Sequence, residues 1–199
     1  MTITSSNASP RILVFAGSAR EDSFNKRLAR LMADRIDTLG GHATFIDLRD
    51  YPMPIYDGDL EADAGLPEHA RRLKRLVMEH QGLAIACPEY NGFITPLLKN
   101  AIDWVSRPDG DLGGLAPYAN KVAAIAAASP GGLGGLRALP LLRQLLSNIG
   151  VTVLPDQLAI GGAGQAFDED GSLADEGQLG KLDGVCQRLV TTLDTLHRA

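Results

Sequence analysis

The 199-residue sequence predicts a doubly wound α/β fold, in which helices cover both faces of one five-stranded parallel sheet. Apolar runs alternate with helical patterns along the whole chain, and the runs are almost entirely apolar, which is typical of strands buried on both faces. Hydrophobic residues make up 45% and charged residues 22%, the balance of a globular protein. We predict one domain over residues 11–199, preceded by a disordered or loosely ordered tail over 1–10.

The N-terminal half contains three predicted strands. Residues 11–17 are a short β-rich run that stops at glycine, and 42–48 alternate apolar and polar residues. Between them lies a helix with apolar residues at helical spacing, ended by Gly40-Gly41. Its apolar residues are Leu28, Leu31, Met32, Ile36 and Leu39. Proline-rich sequence then predicts an irregular loop over 49–66, followed by a helix over about 67–80 and an apolar strand over 82–87.

The C-terminal half continues this alternation. Thr95 as N-cap and Pro96 at the first helical position predict the start of a helix. A fourth strand is predicted over 121–128, followed by glycine-rich turns and a helix that ends near Gly150. A short strand over 151–154 and a last helix over about 175–197 complete the pattern. Because crossovers between parallel strands are right-handed, few topologies fit these elements.

Charge and composition exclude several classes of partner. The formal net charge is −5, so we expect binding neither to nucleic acid nor to anionic membrane. No apolar run approaches the length of a membrane span. Cys87 and Cys186 lie in apolar runs and predict buried free thiols in a reducing compartment. Residues 1–10 lack the pattern of a signal peptide, so the expected location is the cytoplasm.

The segment after the first strand predicts a site for an anion. Ser18, Arg20, Ser23 and Asn25 precede or begin a helix, whose free N–H groups and dipole favour negative charge. The glycines of a dinucleotide-binding loop or of a P-loop are absent, so a single phosphate fits better than a pyrophosphate. A polar turn with an N-cap serine fits the same residues, and this segment alone does not decide between them.

A second segment, after the third strand, carries a family resemblance. Pro88-Glu89-Tyr90-Asn91 and Leu98-Lys99-Asn100-Ala101-Ile102-Asp103-Trp104, taken with residues 17–25, resemble the NAD(P)H-dependent FMN reductase family. That family includes flavin-containing quinone, azo-dye and chromate reductases. The resemblance implies a flavodoxin-like fold with strand order 2-1-3-4-5, bound FMN, NADPH or NADH as substrate, and a homodimer or homotetramer. The implied acceptors are quinones, azo compounds, metal oxyanions or free flavin.

The resemblance also implies a set of cofactor-binding residues. Ser18, Arg20, Ser23 and Asn25 would hold the FMN phosphate, and Pro88 to Asn91 would border the flavin ring. The complete predicted set is Ser18, Ala19, Arg20, Ser23, Phe24, Asn25, Pro88, Glu89, Tyr90, Asn91, Gly92 and Ser129. We predict no catalytic side chain, because the cofactor carries the redox chemistry. No metal site is predicted, since the histidines lack metal-ligand spacing.

Three further expectations follow from the sequence. Lys99, Asn100, Asp103 and Trp104 belong to the motif, but their place inside the helix predicts a structural role. The helix over 136–149 has more apolar positions than one buried stripe needs, which favours an oligomer. Two other functions stay open at this point: a flavodoxin-type electron carrier that docks protein partners, and a flavin-responsive binding module without turnover.

Overall fold

A five-stranded parallel sheet forms the centre of the computed structural model, which describes residues 9–198. Its strands are β1 (Arg11–Ala16), β2 (His42–Asp47), β3 (Gly82–Ala86), β6 (Val122–Ala128) and β7 (Thr152–Ile160), in the order β2-β1-β3-β6-β7. Two short strands, β4 (Glu89–Tyr90) and β5 (Phe93–Ile94), pair separately as an antiparallel hairpin. Without that hairpin the sheet order is 2-1-3-4-5, so the predicted flavodoxin-like topology is confirmed.

Helices cover both faces of the sheet, as predicted. They are α1 (Phe24–Thr38), α2 (Gly58–Ala64), α3 (Glu68–Glu79), α4 (Pro96–Val105), α5 (Ala138–Asn148), α6 (Ala163–Ala166) and α7 (Glu176–Arg198), with 3-10 turns at Leu48–Asp50 and Ala116–Tyr118. Strand residues such as Val14 and Ala84 pack with α1 and α7. Their neighbours Leu13 and Leu83 pack with α3, α4 and α5. This alternation explains why the strands are apolar throughout.

The predicted N-cap of α4 is present and has a second task. Thr95 Oγ1 accepts a hydrogen bond from Leu98 N, and Pro96 occupies the first turn. The same hydroxyl donates to the carbonyl of Gly17 at 2.7 Å. A side chain at Gly17 would press on Leu98 at 3.0 Å. The start of α4 therefore packs directly under the chain that leaves β1.

The structure differs from the sequence prediction in two elements. The segment 49–66, predicted as an irregular loop, contains α2, which buries none of its residues and so has no apolar stripe to reveal it. The strand predicted over 151–154 extends from Thr152 to Ile160. Its pairing with β6 is irregular between Ala123 and Ile125, and Pro155 lies in this stretch. Proline is tolerated there because β7 is an edge strand.

The predicted tail over 1–10 lies outside the described residues except for Ser9 and Pro10. The Pro10 carbonyl accepts a hydrogen bond from His42 N at 2.9 Å, next to the first pair of the β1–β2 ladder. The division into a tail and one domain stays a prediction. Between residues 9 and 198, no helix has both the length and the apolar character needed to cross a bilayer.

Candidate functional site

A cleft of about 160 Å³ opens at the carboxyl edge of the sheet, beyond the ends of β1, β3 and β6. In a doubly wound sheet this is the edge where ligands bind. From the predicted set, its lining includes Ser18, Arg20, Ser23, Phe24, Asn25, Pro88, Glu89, Tyr90 and Ser129. Ala128 and Pro130 complete the lining and were not predicted. Three segments far apart in the sequence thus meet in one site.

Two serine hydroxyls and the start of α1 form one end of the cleft. Ser23 caps α1, with its Oγ accepting from Lys26 N at 3.4 Å. Ser18 Oγ accepts from Arg20 N at 3.2 Å. A hydroxyl has one hydrogen to donate besides its lone pairs, so accepting a backbone bond leaves each O–H available to an anion. The first N–H groups of α1 also have no partner within the helix.

Arg20 lies on the ridge between this cleft and the outer surface of α1. Its guanidinium stacks over the ring of Phe24 at 5.5 Å and donates to the carbonyl of Asp22. The side chain lines both the cleft and the adjoining surface groove that contains Arg27 and Arg30. The stacking holds a positive charge at the rim of the cleft while keeping donors free on the fork of the guanidinium.

Asn25 has a structural partner that the sequence did not reveal. Its Nδ2 donates to the carbonyl of Ala128 at 2.7 Å, and its Oδ1 accepts from Ala128 N at 3.0 Å. This buried pair ties the first turn of α1 to the end of β6. One amide hydrogen remains for a ligand, so its predicted phosphate contact stays a prediction beside this evident positioning role.

The other end of the cleft is formed by Pro88 and the β4–β5 hairpin. Asn91 and Gly92 have φ values of 52° and 82°, the left-handed conformations of a type I′ turn. They form the turn of the hairpin and lie outside the cleft lining. Tyr90 is 57% exposed and contributes its flat ring to the rim. The Asn91-Gly92 dipeptide was the sequence signal for this unpredicted hairpin. Ala19 likewise lies outside the lining, and the ligand contacts of these three residues stay predictions.

The carboxylate of Glu89 is bound by Arg137, a residue that the sequence analysis did not identify. Arg137 Nε donates to Glu89 Oε1 at 2.7 Å, Nη2 donates to the same oxygen, and the backbone N donates to Oε2 at 3.2 Å. Only 8% of the Glu89 side chain is exposed. The pair joins the hairpin to the loop that follows β6.

Two of the glycines that follow Ser129 are required by close packing. A Cβ on Gly134 would lie 2.5 Å from the backbone of Ile160, and this residue has a φ of 63°. A Cβ on Gly135 would lie 2.8 Å from Ala127 Cβ. Both residues have a positive φ, and only glycine fits such close contacts in that conformation. The loop is therefore packed onto the ends of β6 and β7, behind the wall of the cleft.

Cys87 lies beside the cleft but is not activated. Burial raises the pKa of its thiol to about 12, and its Sγ lies 3.4 Å from the carbonyl of Pro88. A thiol is a nucleophile only as the thiolate, so this cysteine is unreactive at neutral pH. Cys87 and Cys186 are both buried and free, as predicted.

Trp104 is fully buried and anchors the loop after β2, in agreement with its predicted structural role. Its Nε1 donates to the carbonyl of Pro54 at 2.8 Å, and Asn100 Nδ2 donates to the same oxygen at 2.8 Å. Tyr56 packs edge-on against the indole at 5.1 Å, and its backbone N donates to Asn100. Between these anchored residues, Ile55 is 86% exposed.

Comparison with known proteins identifies relatives of this arrangement. The quinone reductase of Escherichia coli strain K12 is 32% identical over 177 residues, which are 87% of this chain and 90% of that protein. A 2-hydroxy-1,4-benzoquinone reductase from a Burkholderia species is 35% identical over 72% of this chain and 74% of that protein. Among solved structures, the flavoenzyme NAD(P)H:(acceptor) oxidoreductase FerB of Paracoccus denitrificans superposes with a TM-score of 0.80 and 30% identity, covering 94% of this chain and 98% of that one.

The family assignment follows from the extent of the match. Residues 10–165 match the family described as NADPH-dependent FMN reductase, and this range contains every predicted site residue. The resemblance predicted from the motifs is thereby confirmed. The chain belongs to the NADPH-dependent FMN reductase family.

Proposed function

We propose that this protein holds FMN in the cleft and passes two electrons from NADPH or NADH to small acceptors, of which quinones are the first candidates. One observation carries the proposal: a single cleft has anion donors at one end, and at the other end it is bordered by Pro88, Pro130 and the flat ring of Tyr90. FMN has a matching arrangement of groups, with a charged phosphate at one end and a flat ring at the other. The relatives named quinone reductases support quinones as acceptors.

The donors at the start of α1 fit a phosphate. Ser18 and Ser23 keep their O–H groups available, Arg20 supplies a positive charge, and α1 directs its N-terminal dipole at the cleft. No acidic residue lies in the first turn of α1, and the nearby carboxylate of Asp47 is paired with Lys26 at 2.6 Å. We assign the phosphate to these groups.

The opposite wall fits a flavin ring. Pro88 has no N–H and stiffens the chain where it leaves β3. Ser129 offers a hydroxyl at the end of β6, and Tyr90 a flat face at the rim. Flat apolar surfaces with a few polar groups are typical of cofactor sites. We assign the ring to the space between these residues.

When bound, FMN supplies the redox chemistry by accepting a hydride equivalent from the nicotinamide and releasing two electrons to the acceptor. The protein's residues bind and orient the ligands. Because the cleft is open at Tyr90, one exposed face serves the nicotinamide and then the acceptor. Cys87 remains a protonated thiol throughout. No side chain of the cleft is needed as a general base.

Anaerobic reduction tests this function. We expect the purified protein to be yellow with about one FMN per chain, and addition of NADPH to bleach the flavin within about a second. Cofactor released by heat and separated by chromatography checks its identity. Bound flavin that neither NADPH nor NADH bleaches would instead support the electron carrier or the binding module. FAD as the main species would contradict the monophosphate site.

The electron carrier is the weaker alternative. The chain's relatives among reductases are close enough to define the family, and the net charge of −5 is modest for a protein that docks by its acidic surface. A steady-state survey of quinones, azo dyes, ferric salts and free flavin with both nicotinamides ranks the acceptors.

We also propose a homodimer or a homotetramer in which a second copy borders the cleft. Five large apolar side chains are exposed in the segments that follow β2, β3 and β6: Ile55, Tyr90, Phe93, Leu133 and Leu136. Exposed apolar side chains at one edge of the sheet favour an interface. The two buried free thiols support a reducing location, which we propose to be the cytoplasm.

Light scattering at micromolar concentration should give a mass of two or four chains of 21.1 kDa each. Leu136→Glu should lower that mass toward a single chain, because it places a charge in the interface. Leu196→Glu is the matched control, since Leu196 is also exposed but lies on α7 at the other face of the sheet. A wild-type mass of one chain contradicts the oligomer.

A further inference from the structure

We propose that Glu89 and Arg137 form a positioning latch at the ring end of the cleft. This ion pair holds the β4–β5 hairpin against the loop that follows β6. It also neutralises the buried charge beside the flavin. Neither residue is proposed to react. The inference rests on the proposed function, because it concerns how this chain treats a ring bound in that cleft. Its evidence is a carboxylate held by three donors.

The geometry of the latch is specific. Arg137 Nε and Nη2 both donate to Oε1 of Glu89, while the backbone N of Arg137 donates to Oε2. That backbone N lies at the start of α5, whose own first turn has no acidic residue and no side-chain cap. Glu89 therefore supplies, from a distant segment, the carboxylate that a helix N-terminus favours.

The latch joins a short hairpin to a better anchored loop. The β4–β5 hairpin has only two residue pairs, Glu89 with Ile94 and Tyr90 with Phe93. A hairpin of that length is not stable alone in water. On the other side, the loop after Ser129 is held by close glycine packing against β7. The hairpin, and with it the rim residue Tyr90, is thus fixed against the better anchored wall through Glu89.

The charge of Glu89 matters because the side chain lines the cleft and is nearly buried. A carboxylate stripped of its partner disfavours added negative charge close by, and reduction of a flavin adds electrons to its ring. With Arg137 in place, the pair is neutral. Without Arg137, the charge is compensated only by the start of α5. The latch should therefore influence both where the ring binds and how readily it is reduced.

The test measures two quantities on each variant, the affinity for oxidised flavin and the two-electron potential. Arg137→Ala should weaken FMN and riboflavin equally, by about tenfold, because the loss is at the ring end. It should weaken binding of reduced FMN by about a further tenfold, which lowers the potential by about 30 mV. Arg137→Lys should recover part of both losses. Arg35→Ala, which breaks a two-bond pair with Asp183 far from the cleft, should change neither.

The double variant Glu89→Gln/Arg137→Ala separates positioning from charge. Affinity should remain low, since the contact between Glu89 and Arg137 is still missing, but the potential should return near that of the wild type. A potential as low as in Arg137→Ala would refute the role of the Glu89 charge. Wild-type affinity in Arg137→Ala, or a loss confined to FMN, would refute the latch. Wild-type protein that binds neither flavin would refute the proposed function itself, an outcome distinct from these.

Discussion

Arg20→Ala should weaken FMN binding by about ten- to hundredfold and leave riboflavin binding unchanged. A charge-assisted hydrogen bond to a phosphate is worth roughly 1.5 to 3 kcal/mol, which corresponds to that loss of affinity. Riboflavin has the same ring and ribityl chain but no phosphate. Titration of the apoprotein with both flavins, followed by quenching of flavin fluorescence, measures the difference.

The structure offers a matched control for Arg20. Arg30 lies on the same helix and stacks on Phe45 at 4.8 Å, as Arg20 stacks on Phe24 at 5.5 Å. Arg30→Ala thus removes the same charge and the same kind of contact outside the cleft lining, and both affinities should stay unchanged. Equal loss of FMN and riboflavin in Arg20→Ala would point to a disturbed loop and contradict the phosphate assignment.

Trp104→Ala should lower the free energy of unfolding by about 3–5 kcal/mol, the usual cost of deleting a buried tryptophan side chain. It removes a fully buried indole and one of the two donors to the Pro54 carbonyl. Trp104→Phe keeps most of the packing and loses mainly the hydrogen bond, for which we expect about 1 kcal/mol. Urea unfolding followed by far-ultraviolet circular dichroism measures both variants.

The consequence for function should be indirect. Trp104 lies outside the cleft lining, so folded Trp104→Phe should bind FMN with wild-type affinity. The lost hydrogen bond should instead loosen the loop around Ile55, because its neighbours Pro54 and Tyr56 are held by Asn100 and the indole. A Trp104→Ala variant as stable as the wild type would contradict the anchoring role. A specific loss of FMN affinity in Trp104→Phe would place the indole closer to the ligand than the structure does.

Most of the fold was predictable because buried parallel strands have a strong sequence signal. The runs at 11–17, 82–87 and 121–128 are apolar at every position that faces either helix layer. The α2 helix was missed because it buries nothing. The extent of β7 was missed because its inward and outward positions are mixed and Pro155 interrupts the pattern.

The cleft was predictable in its residues but not in its internal pairings. Strand ends identify which loops meet, so Ser18, Pro88 and Ser129 were expected at one edge. Asn25 with Ala128, and Glu89 with Arg137, are separated by 103 and 48 positions. No local pattern shows that two such side chains meet. Asn91-Gly92 did carry a local signal, and a turn prediction there would have found the hairpin.

The bond between Asn25 and Ala128 has a consequence for how the chain folds. It closes a loop of 103 positions between the start of α1 and the end of β6, so we expect it to form once β1, β3 and β6 have paired. Contacts of high sequence separation slow folding, because loop-closure entropy is lost before they form. Since this bond holds the start of α1 against the end of β6, we expect flavin capture during refolding to follow the pairing of these strands. Free cofactor should then not accelerate the earlier steps.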